Sequence, residues 1–144
     1  MPYVRIWLHC VWGTKNRYPY LTPEIKQQVI DHIRENAREK EIYLNAINGH
    51  TDHLHCIVSL RADQSLAKVI QLIKGESSFW INKNGITPVR FEWADEYFAV
   101  SVSDSDIQRV RNYIWRQEEH HRKESWEDEY REFIREYGFE EFRG

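Results

Sequence analysis

The order of hydrophobic periodicities most narrows the folds open to this chain. Residues 3–13, "YVRIWLHCVWG", alternate with a period of two. Val4, Ile6, Leu8, Cys10 and Trp12 share one parity and are expected to face the core, with Arg5, Trp7 and His9 on the other side. A helix follows: Thr22 reads as its N-cap, Pro23 sits at the first helical position, and Glu24 lies in the first turn, with the end near Lys40. "EIYLNAINGH" and "DHLHCIVSL" read as two more strands, joined by a polar turn near His50 to Asp52 as in a hairpin. In the second of these Leu54, Cys56, Val58 and Leu60 form the core parity. Ser65 caps a second helix, "LAKVIQLIKGESSFWIN", weakened in its middle by Gly75. "YFAVSV" reads as a fourth strand. Ser103 and Asp106 make a capping-box-like start to a third helix, "DSDIQRVRNYIWRQEEHH". A last short helix, "WEDEYREFIREY", ends at Gly138. The order βαββαβ, with helices appended, predicts an α+β fold. Its form is the ferredoxin-like one, a four-stranded antiparallel sheet covered by helices, in a single domain over residues 1–144.

Length and composition fit that expectation. A chain of 144 residues, 41% hydrophobic, supports one cored domain and not two. The net charge of −3 is not the basic footprint that nucleic-acid binding alone would force. The charge is uneven, however. Residues 118–142 hold ten of the 23 acids, so the first 117 residues carry a modest basic excess. Cys10 and Cys56 belong to no CxxC or metal-finger pattern and read as buried, reduced thiols of a cytosolic protein. No apolar run approaches the roughly 18 residues that cross a bilayer, and no signal peptide is evident. A cytoplasmic protein of a prokaryotic cell, without a membrane partner, is expected.

The chemistry starts at "DHLHCIV". On a strand, positions i and i+2 point the same way, so His53 and His55 place two imidazoles on one face, opposite the core parity. The pair suits two ligands converging on one cation, and equally suits two surface or hydrogen-bonding histidines. The third helix weighs toward the first. Counting about 100° per residue from Ile107, Val110 and Ile114 define a buried stripe, and Tyr113 and Gln117 fall at its edge. A phenol and an amide at the helix–sheet boundary are within reach of a site over the histidine strand. Two nitrogen ligands and an amide oxygen, without thiolate, favour Mg2+ or Mn2+ over a structural zinc ion. Such an ion polarises a phosphodiester and makes its phosphorus a target for the phenol. The product is a phosphotyrosine ester, which a free 3′-OH can reverse.

These stretches resemble the single-tyrosine transposases of the HUH superfamily, the insertion-sequence 200/605 class with their repeat-associated relatives. His53-Leu54-His55 matches the His-hydrophobic-His signature. "VWGTKNRYPYL" is similar to the family's opening strand and loop, "KGESSFWIN" to its K-G-x-S-S helix, "FEWADEYFAVSVSDSDI" to its F-x-W-x-x-G-Y stretch, and "YREFIREYGFE" to its tail. Two positions depart from the pattern: Glu96 stands where Gly is expected, and Val100 where Phe is expected. The resemblance implies Tyr113 as nucleophile and His53, His55 and Gln117 as ligands of Mg2+ or Mn2+. It implies cleavage and rejoining of single-stranded DNA at hairpin-bearing ends through a 5′-phosphotyrosine, by a homodimer in which the tyrosine helix acts in cis or in trans. His120 fits an E-x-H-H run and is a candidate auxiliary for proton transfer or phosphate contact, or a solvated helix-end histidine.

Lys15, Arg17 and Lys74 are candidates for neutralising DNA phosphates. Two alternatives stand beside the transposase reading. One is a domesticated nuclease or strand transferase that processes chromosomal hairpins. The other is a non-catalytic ferredoxin-like module that binds nucleic acid through sheet aromatics.

Overall fold

The computed structural model describes residues 3–117, with Asp128, Glu132 and Arg135. The expected last helix and its stop at Gly138 lie outside the described residues, as does the third helix beyond Gln117. The elements run β1 (Trp7–Gly13), α1 (Pro23–Glu39), β2 (Tyr43–His50), β3 (His53–Ser59), α2 (Leu66–Lys83), β4 (Phe98–Val102) and α3 (Ile107–Trp115). The four strands form one antiparallel sheet in the order β2-β3-β1-β4, as βαββαβ predicts. No helix among the described residues is long and apolar enough to cross a membrane.

Register explains how the sheet serves two layers. Cys10 lies opposite Cys56 and Trp12 opposite Leu54. Directly opposed residues share a face. These residues, with Val58, pack against Val29, Ile30 and Ile33 of α1 and Val69, Ile70 and Ile73 of α2. On the other face Ala46, Ile57 and Val102 pack under Val110 and Ile114 of α3. The two inner strands are therefore covered on both sides, and β3 is buried from His53 to Val58. The cysteines are free, buried thiols on the first face. A hydrogen bond from its own S–H to Cys10, together with burial, pushes the Cys56 thiol up.

Local signals behave as the sequence suggests, with two differences. Ser65 caps α2 by accepting from the Lys68 amide at 3.1 Å, and Thr22 with Pro23 opens α1. Val4 and Ile6, expected in the core, are 40% and 41% exposed. Strand pairing stops at Trp7, which already faces the last residues of β3 and β4, so no neighbouring strand covers them. Helix α3 begins at Ile107, later than expected, and its cap makes no side-chain bond. The Ser103 hydroxyl bonds the Asp106 carboxylate at 3.2 Å instead of a helix amide. Helix α2 runs unbroken through Gly75, whose expected cost is backbone entropy and not a break, and a Cβ there would meet open space.

Gly49 has a steric task. A Cβ there would collide with the His53 carbonyl and Leu54 Cα, so only glycine allows the β2–β3 hairpin to close this tightly. The irregular stretch before β4 is fastened to α2 and β1. Asn82 exchanges two bonds with the Phe91 backbone at 2.8 and 2.9 Å, and the Trp93 indole N–H donates to Ser77 Oγ at 2.9 Å. The Ala94 amide donates to the Gly13 carbonyl at 2.9 Å. "KGESS" and "FEW" thus hold the ends of β1 and α2 together.

Candidate active site

The histidine pair sits on β3 where alternation puts it, on the face beneath α3. The His53 and His55 ring centroids are 5.1 Å apart, and the two residues are 0% and 1% exposed. The Tyr113 ring stands edge-on to His55 at 5.6 Å. Gln117, 0% exposed, brings Oε1 to 3.4 Å from His53 Nε2. Its amide nitrogen donates to the Tyr113 carbonyl at 3.3 Å, which orients the oxygen toward the histidine. The four residues read from the sequence therefore converge within one chain.

Two residues behind them were missed by sequence reasoning. Asp52 Oδ1 lies 2.8 Å from His53 Nδ1. His9, itself 0% exposed, places Nε2 3.0 Å from His55 Nδ1, with the two rings stacked at 5.2 Å. A carboxylate or second ring on Nδ1 fixes the tautomer and orientation of a ligating imidazole, leaving Nε2 for the ion. Asp52 precedes His53 directly, so "TDHLH" held that signal. Parity put His9 off the core face, but only register sets it beside the histidine strand, opposite Ile57. It also lies edge-on to Tyr113, at 6.2 Å.

The donor set fits a divalent cation. In the tautomer that carries its proton on Nδ1, toward Asp52, His53 turns an Nε2 lone pair to the Gln117 oxygen. A cation between them, or a second ring proton, reconciles two acceptors at that distance. Octahedral ligands about 2.1 Å from Mg2+ stand roughly 3 Å apart in cis, near the observed 3.4 Å. Among the described residues no group of three His, Cys, Asp or Glu side chains could hold a metal. An ion here would rely on the Gln117 amide and on oxygens from substrate or water.

The expected phosphate contacts are scattered. Lys74 lies on α2, across the sheet from the histidines, and donates to the Ala94 and Asp95 carbonyls at 2.5 and 3.3 Å. Burial lowers its pKa, partly offset by Asp95. Lys15 pairs with Glu92 at 2.9 Å, which raises the lysine and lowers the carboxyl. Arg17 is exposed in the turn after β1, where Asn16 and Arg17 both have positive φ, 55° and 56°. His120 lies outside the described residues.

Residues 3–117 match the family model described as "Transposase IS200 like". The ISDra2 transposase TnpA of Deinococcus radiodurans is 22% identical over 121 residues, spanning 81% of this chain and 84% of that protein. A crystal structure of a transposase from Deinococcus radiodurans R1 aligns with a TM-score of 0.63 at 23% identity, covering 81% of this chain and 95% of that one. The structure of a REP-associated tyrosine transposase bound to a REP hairpin aligns with a TM-score of 0.64 at 18% identity, covering 84% of this chain and 72% of that one. The two solved structures share the fold described above.

Proposed function

This chain belongs to the IS200-like transposase family, and from that premise we propose that it cleaves and rejoins single-stranded DNA with Tyr113 as nucleophile. His53, His55 and Gln117 are the residues that would hold Mg2+ or Mn2+. One observation carries the reading: a phenol 5.6 Å from one imidazole, whose neighbouring imidazole faces an amide oxygen. A pure binding module has no use for that convergence.

The chain's own residues divide the work. The Tyr113 oxygen attacks phosphorus and loses its proton, an O–P bond forms to the tyrosine, and the bond from phosphorus to the 3′ oxygen breaks. The leaving oxygen takes up a proton and departs as a 3′-OH, with the 5′ phosphate linked to Tyr113. An incoming 3′-OH reverses the step and restores the tyrosine. The divalent ion, when bound, supplies Lewis acidity at the phosphate. Asp52 and His9 hold the ligand rings in register, which limits the reorganisation needed at reaction.

His53, His55 and Gln117 are all but fully buried, so on this reading a phosphate reaches them only after a local opening. Two bonds tie α3 to β2: Arg111 Nε to Asn45 Oδ1 at 2.8 Å, and Asn48 Nδ2 to the Trp115 carbonyl at 3.2 Å. We take the working unit to be a homodimer acting on hairpin-bearing single strands, the kind of ligand named for the REP-associated relative.

The test is a hairpin oligonucleotide with single-stranded flanks, incubated with the protein and Mn2+. The expected result is a covalent protein–DNA adduct that persists in a denaturing gel and is absent for Tyr113→Phe. Cutting that survives Tyr113→Phe would mean hydrolysis by metal-bound water. Binding without any adduct would mean a non-catalytic module.

A further inference from the structure

The turn that leads into His53 is gripped by the residue that follows β1. We propose that Thr14 is a positioning residue: it holds the peptide between Asp52 and His53, and so keeps the Asp52 carboxylate against the His53 ring. The inference rests on the reading of His53 as an ion ligand given above.

Backbone geometry is the first argument. Successive side chains on a strand point to opposite faces, so a residue there does not meet the ring of its neighbour. Asp52 nonetheless brings Oδ1 to 2.8 Å from His53 Nδ1, because it lies in the turn before β3 begins. That contact depends on the orientation of the planar peptide that joins the two residues, whose carbonyl belongs to Asp52. Thr14 donates to this oxygen twice, from its amide at 2.8 Å and from Oγ1 at 3.2 Å. A Cβ on Gly13 would come within 3.3 Å of the same atom, so the strand end closes tightly on it.

The second argument is that Thr14 is itself held firmly. It is 1% exposed and forms an isolated bridge to Trp93. Its hydroxyl also donates to the Tyr18 carbonyl at 2.8 Å, and its own carbonyl accepts from the Arg17 amide at 3.1 Å. Trp93 in turn is fastened to α2 through Ser77. Hydrogen bonds therefore run from α2 through Trp93 and Thr14 to the peptide behind His53. A hydroxyl carries one proton, so the Tyr18 and Asp52 carbonyls share it, and tightening one bond loosens the other. A shift of the turn at Tyr18 is thereby felt at Asp52.

The test reads orientation separately from stability. Thr14→Val keeps the side-chain shape and removes the hydroxyl, Thr14→Ala removes it in a smaller side chain, and Thr14→Ser keeps it. In metal-free protein, nitrogen NMR of isotopically labelled histidine rings is expected to show His53 with its proton on Nδ1 in wild type and in Thr14→Ser. A mixture of tautomers is expected in Thr14→Val and Thr14→Ala. Mn2+ affinity by calorimetry should fall about fivefold in the two variants without the hydroxyl, the worth of one net hydrogen bond, and return in Thr14→Ser. Because Thr14 acts through Asp52, the double variant Thr14→Val/Asp52→Asn should bind Mn2+ no more weakly than Asp52→Asn alone. Additive losses overturn the proposal, as does an unchanged tautomer and affinity in the variants without the hydroxyl. Wild-type protein that binds no Mn2+ sinks the ion reading instead, and the metal-free spectra still decide the role of Thr14.

Discussion

The two faces of the sheet are built for different ends. Under α1 and α2 the inner strands present Cys10, Trp12, Leu54, Cys56 and Val58, an apolar layer sealed by two long helices. Under α3 the same strands present His9, His53 and His55, and α3 with the residues just past its end covers them with a small apolar cluster plus Tyr113 and Gln117. Burial is nearly complete on both faces, but one holds methyl groups and the other polar rings that need partners. The first face gains stability from area. The second spends buried volume on groups whose bonds must all be met.

Substitutions that separate stability from chemistry test this contrast. The largest effect is expected from Tyr113→Phe, which should abolish adduct formation while leaving the thermal midpoint within a few degrees; a fall comparable to a core deletion would show that α3 is a stability element after all. Leu54→Ala is the mirror case. It sits between the two histidines in sequence but on the other face, and should cost about 2–5 kcal/mol in denaturant unfolding. Saturating Mn2+ should raise the midpoint of wild-type protein, by roughly 2.7 kcal/mol at a hundred times the dissociation constant, and should leave His55→Ala unmoved. Next come the supporting residues. Asp52→Asn and His9→Ala should each weaken Mn2+ binding by about 10–100-fold in calorimetry, and unchanged affinity would remove them from the ion's surroundings. The smallest effect is at the exposed rim. Lys15→Met should return the Glu92 carboxyl upward in an NMR titration, because Lys15 is the main cause of its lowering. A carboxyl held low in the folded state adds stability above its unfolded pKa and loses it as pH falls through the folded value, so the variant's acid limb should be slightly flatter.

Much of the architecture was legible from local rules. Period-two alternation placed β1, β2, β3 and β4, and Ser65 and Pro23 marked the helix starts, because capping and alternation act over a few residues. The i, i+2 spacing put His53 and His55 on one face, and the helical count put Val110 and Ile114 inward with Tyr113 and Gln117 beside them. What failed was mostly non-local. Val4 and Ile6 keep the core parity of their strand, yet both lie beyond the paired part of the sheet and stay exposed. One failure was local: the Ser103 hydroxyl, expected to cap α3, donates to the Asp106 carboxylate three residues on. The surroundings of Lys74 were not legible either: it lies on α2, across the sheet from the histidines, and donates to the Ala94 and Asp95 carbonyls.

Sequence by itself determined the element order, the face that carries the histidines, and the helical edge that carries Tyr113 and Gln117, since each follows from the geometry of one segment. Only the tertiary structure decided that α3 covers that face and that His9 backs His55. Only it showed that Thr14 grips the peptide between Asp52 and His53. Those facts depend on strand register and helix docking, set by contacts between residues dozens of positions apart, and no local pattern encodes such distances.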